Sequence, residues 1–87
     1  MTVTQPIYHR AARPQMRPQH LRVCRYIISG YTARETADAL DMTLWTVKDH
    51  LKQARNYLSE LGYDTSNVIR LRRALRHLGL INDIETL

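Results

Sequence analysis

Two helix starts stand so close together in this chain that they fix what lies between them. Thr32-Ala33-Arg34-Glu35 places a threonine three residues ahead of a glutamate. In that arrangement the hydroxyl caps a first-turn N–H and the carboxylate reaches back to the N–H of the cap. Thr43 then occupies a second N-cap position, with only Asp41-Met42 between it and the end of the preceding helix. The intervening helix is therefore short. Its narrow face of small residues, Ala33, Thr36, Ala37 and Leu40, suits close approach to neighbouring helices.

The helix that Thr43 opens covers about residues 43–58. Leu44, Val47, Leu51, Ala54, Leu58 and then Leu61 recur at steps of three and four, which lines up one apolar stripe. The opposite side carries Trp45, Lys48, Asp49, Lys52, Arg55 and Asn56. Taken alone, this mixture is either an ordinary solvated face or a set of groups that reach phosphates and base edges in a DNA major groove. A short helix, a connection of a few residues and a longer helix with a polar outer face is the sequence form of a helix-turn-helix.

Two further helices flank this pair. One runs from about Pro18 to Ser29, with proline tolerated in its first turn and Gly30 as a left-handed stop. Its inward side is Leu21, Val23, Cys24, Ile27 and Ile28, while Arg22 and Arg25 face out. His20 and Cys24 stand one turn apart, but no second pair completes a metal site, and Cys24 reads as a small buried hydrophobe. The last helix spans roughly Ser66 to Leu78. Val68, Leu71, Leu75 and Leu78 form its stripe, Arg70, Arg72, Arg73, Arg76 and His77 fill the rest, and Leu80-Ile81 can fold back after Gly79. That stripe either caps the core or pairs with its own copy across a two-fold axis.

Composition sets the frame. Eighty-seven residues suffice for one domain. Thirteen Lys plus Arg against eight Asp plus Glu, a net charge of +5, favours a polyanionic partner. Every charged residue before Glu35 is an arginine, whereas residues 82–87 carry only Asp83 and Glu85. A lone cysteine, the lack of a long apolar run and the lack of a secretory signal point to a cytoplasmic protein with no membrane association. The absence of period-two alternation argues for an all-α fold. Residues 1–15 read as an extended basic arm, 16–81 as the helical domain and 82–87 as a short acidic tail. Arg10, Arg13 and Arg17 are candidate arm contacts to DNA, against the plainer reading of a basic terminus.

The order of residues, beyond their periodicity, resembles the LuxR-type (GerE-like) DNA-binding domain. The resemblance lies in Gly30-Tyr31-Thr32-Ala33-Arg34-Glu35-Thr36-Ala37 through Leu40, then Thr43-Leu44-Trp45-Thr46-Val47-Lys48-Asp49-His50, and in the closing Leu78-Gly79-Leu80-Ile81. It implies a four-helix domain whose third helix enters the major groove and whose fourth commonly makes a symmetric dimer contact. Lys48 and His50 match the lysine and histidine of the family's T-V-K-x-H string, with Thr46 and Val47 at its polar and packing positions. Three departures stand out. Gln19-His20 replace an acidic stretch, Thr36 replaces an isoleucine, and about three extra residues lie between His50 and Leu61-Gly62.

The expected function is that of a sequence-specific transcriptional regulator that binds double-stranded DNA as a homodimer. Lys48, Asp49, Lys52 and Trp45 are the expected base readers, and Arg34, Thr43, Thr46, His50 and Arg55 the expected phosphate contacts. An acid at Asp49 repels phosphate but accepts from a cytosine amino group. Val68, Leu71, Leu75 and Leu78 are the expected dimer interface. The alternative is an interaction module of the same fold that docks on RNA polymerase or another regulator. No acid, base and nucleophile spacing and no glycine-rich phosphate loop suggest an enzyme, and no cofactor or metal is expected.

Overall fold

The computed structural model describes residues 16–81. Four helices follow one another: α1 (Pro18–Ile28), α2 (Ala33–Leu40), α3 (Leu44–Glu60) and α4 (Val68–His77). The described residues contain no strand, so the all-α, four-helix expectation holds. Arg10, Arg13 and the acidic residues 82–87 lie outside the described residues.

Three of the four starts use a side-chain cap. Glu35 N–H donates to Thr32 Oγ1 at 3.0 Å while Thr32 N–H donates to Glu35 Oε1 at 2.8 Å, the full reciprocal box of α2. Thr43 Oγ1 accepts from Thr46 N–H at 3.1 Å, and Asn67 Oδ1 accepts from Arg70 N–H at 2.9 Å. The last helix thus starts two residues later than Ser66. Asp64 Oδ1 accepts the Ser66 N–H at 2.9 Å, a local turn that leaves Asn67 as the cap.

All four helices stop in one way. A left-handed residue closes each helix, and the N–H after it returns across the final turn: Tyr31 to Tyr26 O at 3.1 Å, Met42 to Ala37 O at 2.9 Å, Tyr63 to Leu58 O at 3.0 Å and Leu80 to Leu75 O at 2.9 Å. Glycine takes the left-handed position in three of these stops; in α2 it falls to Asp41, at φ 56°. Gly62 lets α3 run to Glu60, past the expected end at 58, and puts Leu61 beyond the helix at 50% exposure. Leu61 is therefore not the last member of the buried stripe.

α3 is the central element and packs on both α1 and α2, while α4 lies chiefly against α1. The larger core gathers Cys24 and Ile28, Ala54 and Leu58, and Leu71, Ala74 and Leu75, closed by Ile81. The smaller joins Val23, Ala37 and Val47, and Leu51 packs against both. Thr36 is fully buried, its hydroxyl donating to Thr32 O at 2.8 Å, so the small face of α2 sits against its neighbours with no polar atom of Thr36 stranded.

Leu71 and Leu75 are fully enclosed by this core, which corrects their expected place in a dimer interface. The chain's own α1 and α3 cover the middle of the stripe. Of the four expected interface residues only Val68 and Leu78, at 41% and 36% exposure, reach solvent, with Ile69 beside them at 69%.

Candidate nucleic-acid interface

α3 buries Val47, Ala54 and Leu58 and thereby turns Trp45, Lys48 and Lys52 outward. Steps of three and four put these residues along one line of the helix. Trp45 is 74% exposed, an unusual place for a large apolar ring in a small helical domain. Lys48, Lys52 and Asn56 are exposed, and Asp49 is half-buried within the same face. Among the described residues no ion pair includes Lys48 or Lys52. The face thus presents two unneutralised ammonium groups, a carboxylate acceptor, an amide and an indole.

The N-terminal end of α3 has its own polar chemistry. Thr43 O–H donates to Thr46 Oγ1 at 2.9 Å while accepting from the Thr46 N–H. Because the Thr46 oxygen is an acceptor in that bond, its hydroxyl proton is left to donate elsewhere. The first N–H groups of α3 point the same way as the positive end of the helix dipole. Arg34 is exposed in the first turn of α2, and Arg17 is exposed at the start of α1.

Two expected phosphate contacts sit differently. His50 is half-buried, its ring 5.0 Å from that of His20 on α1 and tilted by 49°. Its Nδ1 is enclosed without a hydrogen-bond partner. His50 thus packs between α1 and α3, and with Nδ1 enclosed only Nε2 is left for the phosphate contact expected of it. Arg55 is also half-buried, its Nε enclosed and unpartnered. Burial pushes the Cys24 thiol up from 9.0 to about 12, and the nearby Arg55 charge opposes that rise. Arg55 therefore stands at the edge of the outer face, its charge shared with the core.

The sequence also left unseen a polar cluster after α3. Tyr63 Oη and His77 Nδ1 are 2.6 Å apart with the rings edge to face, and Arg70 pairs with Asp64 at 3.2 Å. The Ser66 N–H, aided by Arg70, holds the Asp64 carboxyl below its ordinary range. Tyrosine, histidine and aspartate in a loop and a helix end carry no spacing signal that would have joined them. No group of three or more His, Cys, Asp or Glu able to hold a metal ion occurs among the described residues. No helix there is long and apolar enough to cross a membrane.

Comparison with family models, with curated proteins and with solved structures found no match to this chain.

Proposed function

We propose that this protein is a duplex DNA-binding transcriptional regulator that inserts α3 into the major groove. One observation carries the reading: the outward line Trp45, Lys48, Lys52 on a capped helix, with no ion pair among the described residues and packed through its other side onto the short helix α2. A helix-turn-helix presents its second helix in this way, and the resemblance to LuxR-type domains points to the same helix. Lys48 and Lys52 reach guanine acceptors or phosphates, Asp49 accepts from a cytosine amino group, and the Trp45 ring contacts a thymine methyl or sugar. Thr43, Thr46 and Arg34 hold the backbone.

Regulation by a homodimer is part of the proposal, with the contact moved to Val68 and Ile69. These are the apolar groups of α4 that its own core leaves exposed. Both stand in the first turn of α4, so two copies meet there, away from Arg73 and Arg76, which are exposed further along the helix.

The second reading is a protein-docking module, favoured by the same exposed Trp45, since an aromatic ring flanked by cations also anchors on an acidic protein surface. Selection of bound duplexes from a random-sequence library separates the two. A recurrent site, with protection in the major groove, is expected for the first. Recovery of unrelated sequences only, alongside retention of a specific protein partner, rejects it in favour of the second.

A further inference from the structure

Between the loop that follows α3 and one side of α4 lies an open cleft of about 230 Å³, lined by Tyr63, Asp64, Arg70, Arg73, Ala74 and His77. It is separate from the Trp45, Lys48, Lys52 face. Its floor is apolar: Ala74 is buried, and Tyr63 packs against the larger core. Its rim is polar and on balance positive. The one acid, Asp64, is already committed to the Ser66 N–H and to Arg70. Arg73 is exposed and has no ion pair among the described residues. Arg70, Arg73 and His77 recur at steps of three and four, so all three lie on the side of α4 that faces the cleft.

We propose that this cleft is a binding site for a small aromatic carboxylate. The guanidinium of Arg73 matches a carboxylate with two parallel N–H donors. The flat body of the ligand lies over Ala74 and against the Tyr63 ring, where aromatic pairs favour offset or edge contacts. The short contact between Tyr63 and His77 holds both rings in place. When Nδ1 accepts a hydrogen bond from the phenolic O–H, the neutral imidazole carries its proton on Nε2, which can act as a second donor. A purely polar anion would leave the apolar floor uncovered, and a neutral ring would leave Arg73 unpaired. The combination of both features selects the class. At about 230 Å³ the cleft is smaller than the roughly 300–1,000 Å³ of drug-sized sites, which limits the ligand to one ring and its carboxylate.

The test is a titration of the full chain with benzoate at constant ionic strength, followed by backbone and side-chain NMR shifts. Saturable shifts confined to residues 62–66 and 70–77 are expected. Acetate and inorganic phosphate should bind at least tenfold more weakly for want of the ring, and benzyl alcohol equally so for want of the charge. Arg73→Gln should weaken benzoate binding at least tenfold with an unchanged circular dichroism spectrum, Arg73 being exposed. Arg73→Lys, which keeps the charge and loses the fork, should fall between, and it carries the test if the glutamine variant does not fold. Shifts spread over all exposed arginines, Arg34 included, would overturn the proposal. So would equal binding of acetate, or benzoate affinity indifferent to both Arg73 variants.

Discussion

The imidazole of His50, in the middle of α3, rests 5.0 Å from that of His20, in the first turn of α1. His20 Nδ1 in turn accepts the Arg17 N–H at 3.3 Å, so the pair ties α3 to the start of α1. His50→Ala removes this contact and should lower stability by about 1–2 kcal/mol, measured by urea denaturation. DNA affinity, measured where the variant is fully folded, should change less than threefold. A large affinity loss without a stability loss would keep His50 among the phosphate contacts.

Cys24 supplies a pH dependence. Burial raises its thiol from 9.0 to about 12, while an unfolded chain ionises it near the ordinary value. Below about pH 9 both states keep the proton and Cys24 contributes no slope. As pH rises from there toward 12 the unfolded state loses its proton first, so stability falls. Cys24→Ala should flatten that alkaline limb while lowering stability at neutral pH. The folded protein should also resist iodoacetamide at neutral pH, since the thiolate is the reactive form.

Asp41 holds the left-handed stop between α2 and α3 at φ 56°. Aspartate tolerates that region better than most residues because its side chain bonds locally, and glycine tolerates it best. Asp41→Ala should destabilise the domain by about 1 kcal/mol relative to Asp41→Gly. Equal thermal midpoints for the two variants would mean that the turn relaxes out of this geometry.

Leu75 and Ile69 separate core from surface on one helix. Leu75→Ala opens a cavity where the side chain is fully buried and should cost about 2–5 kcal/mol. Ile69→Glu replaces a side chain that is 69% exposed and should leave stability within about 0.5 kcal/mol. Sedimentation of the Ile69→Glu protein then tests the proposed dimer contact: a monomer where the parent is a dimer supports it, and an undisturbed dimer moves the contact elsewhere.

Helix starts were legible wherever a hydroxyl or amide stood in the cap position, as at Thr32 and Thr43. Ser66 and Asn67 are both competent caps, and only the Asp64 turn decides between them. The stops at Gly30 and Gly79 could be read from glycine, and the second also from the apolar residues after it, whereas Asp41 in the same role could not. The leucine stripe of α4 was visible as a stripe, but periodicity is identical for a core face and a subunit seam. Only the packing of α1 and α3 over Leu71 and Leu75 separates them. Within the candidate site, the exposed line Trp45, Lys48, Lys52 follows directly from the apolar period of α3. His50 falls on the flank of that period, and its partner lies on another helix, thirty positions back in the chain, so the inward turn of its ring had no local signature.

The most direct test of α3 as the groove-binding helix is the salt dependence of affinity for a selected duplex, measured for the parent protein and for Lys48→Ala and Lys52→Ala. Both lysines are exposed, so the variants should fold as the parent does. A lysine on a base edge should cost on the order of 1–3 kcal/mol at the selected site and relax preference at one position; a lysine on a phosphate should reduce the salt slope by about one unit across all sequences. Affinity and salt slope unchanged in both variants would remove α3 from the interface and contradict the reading.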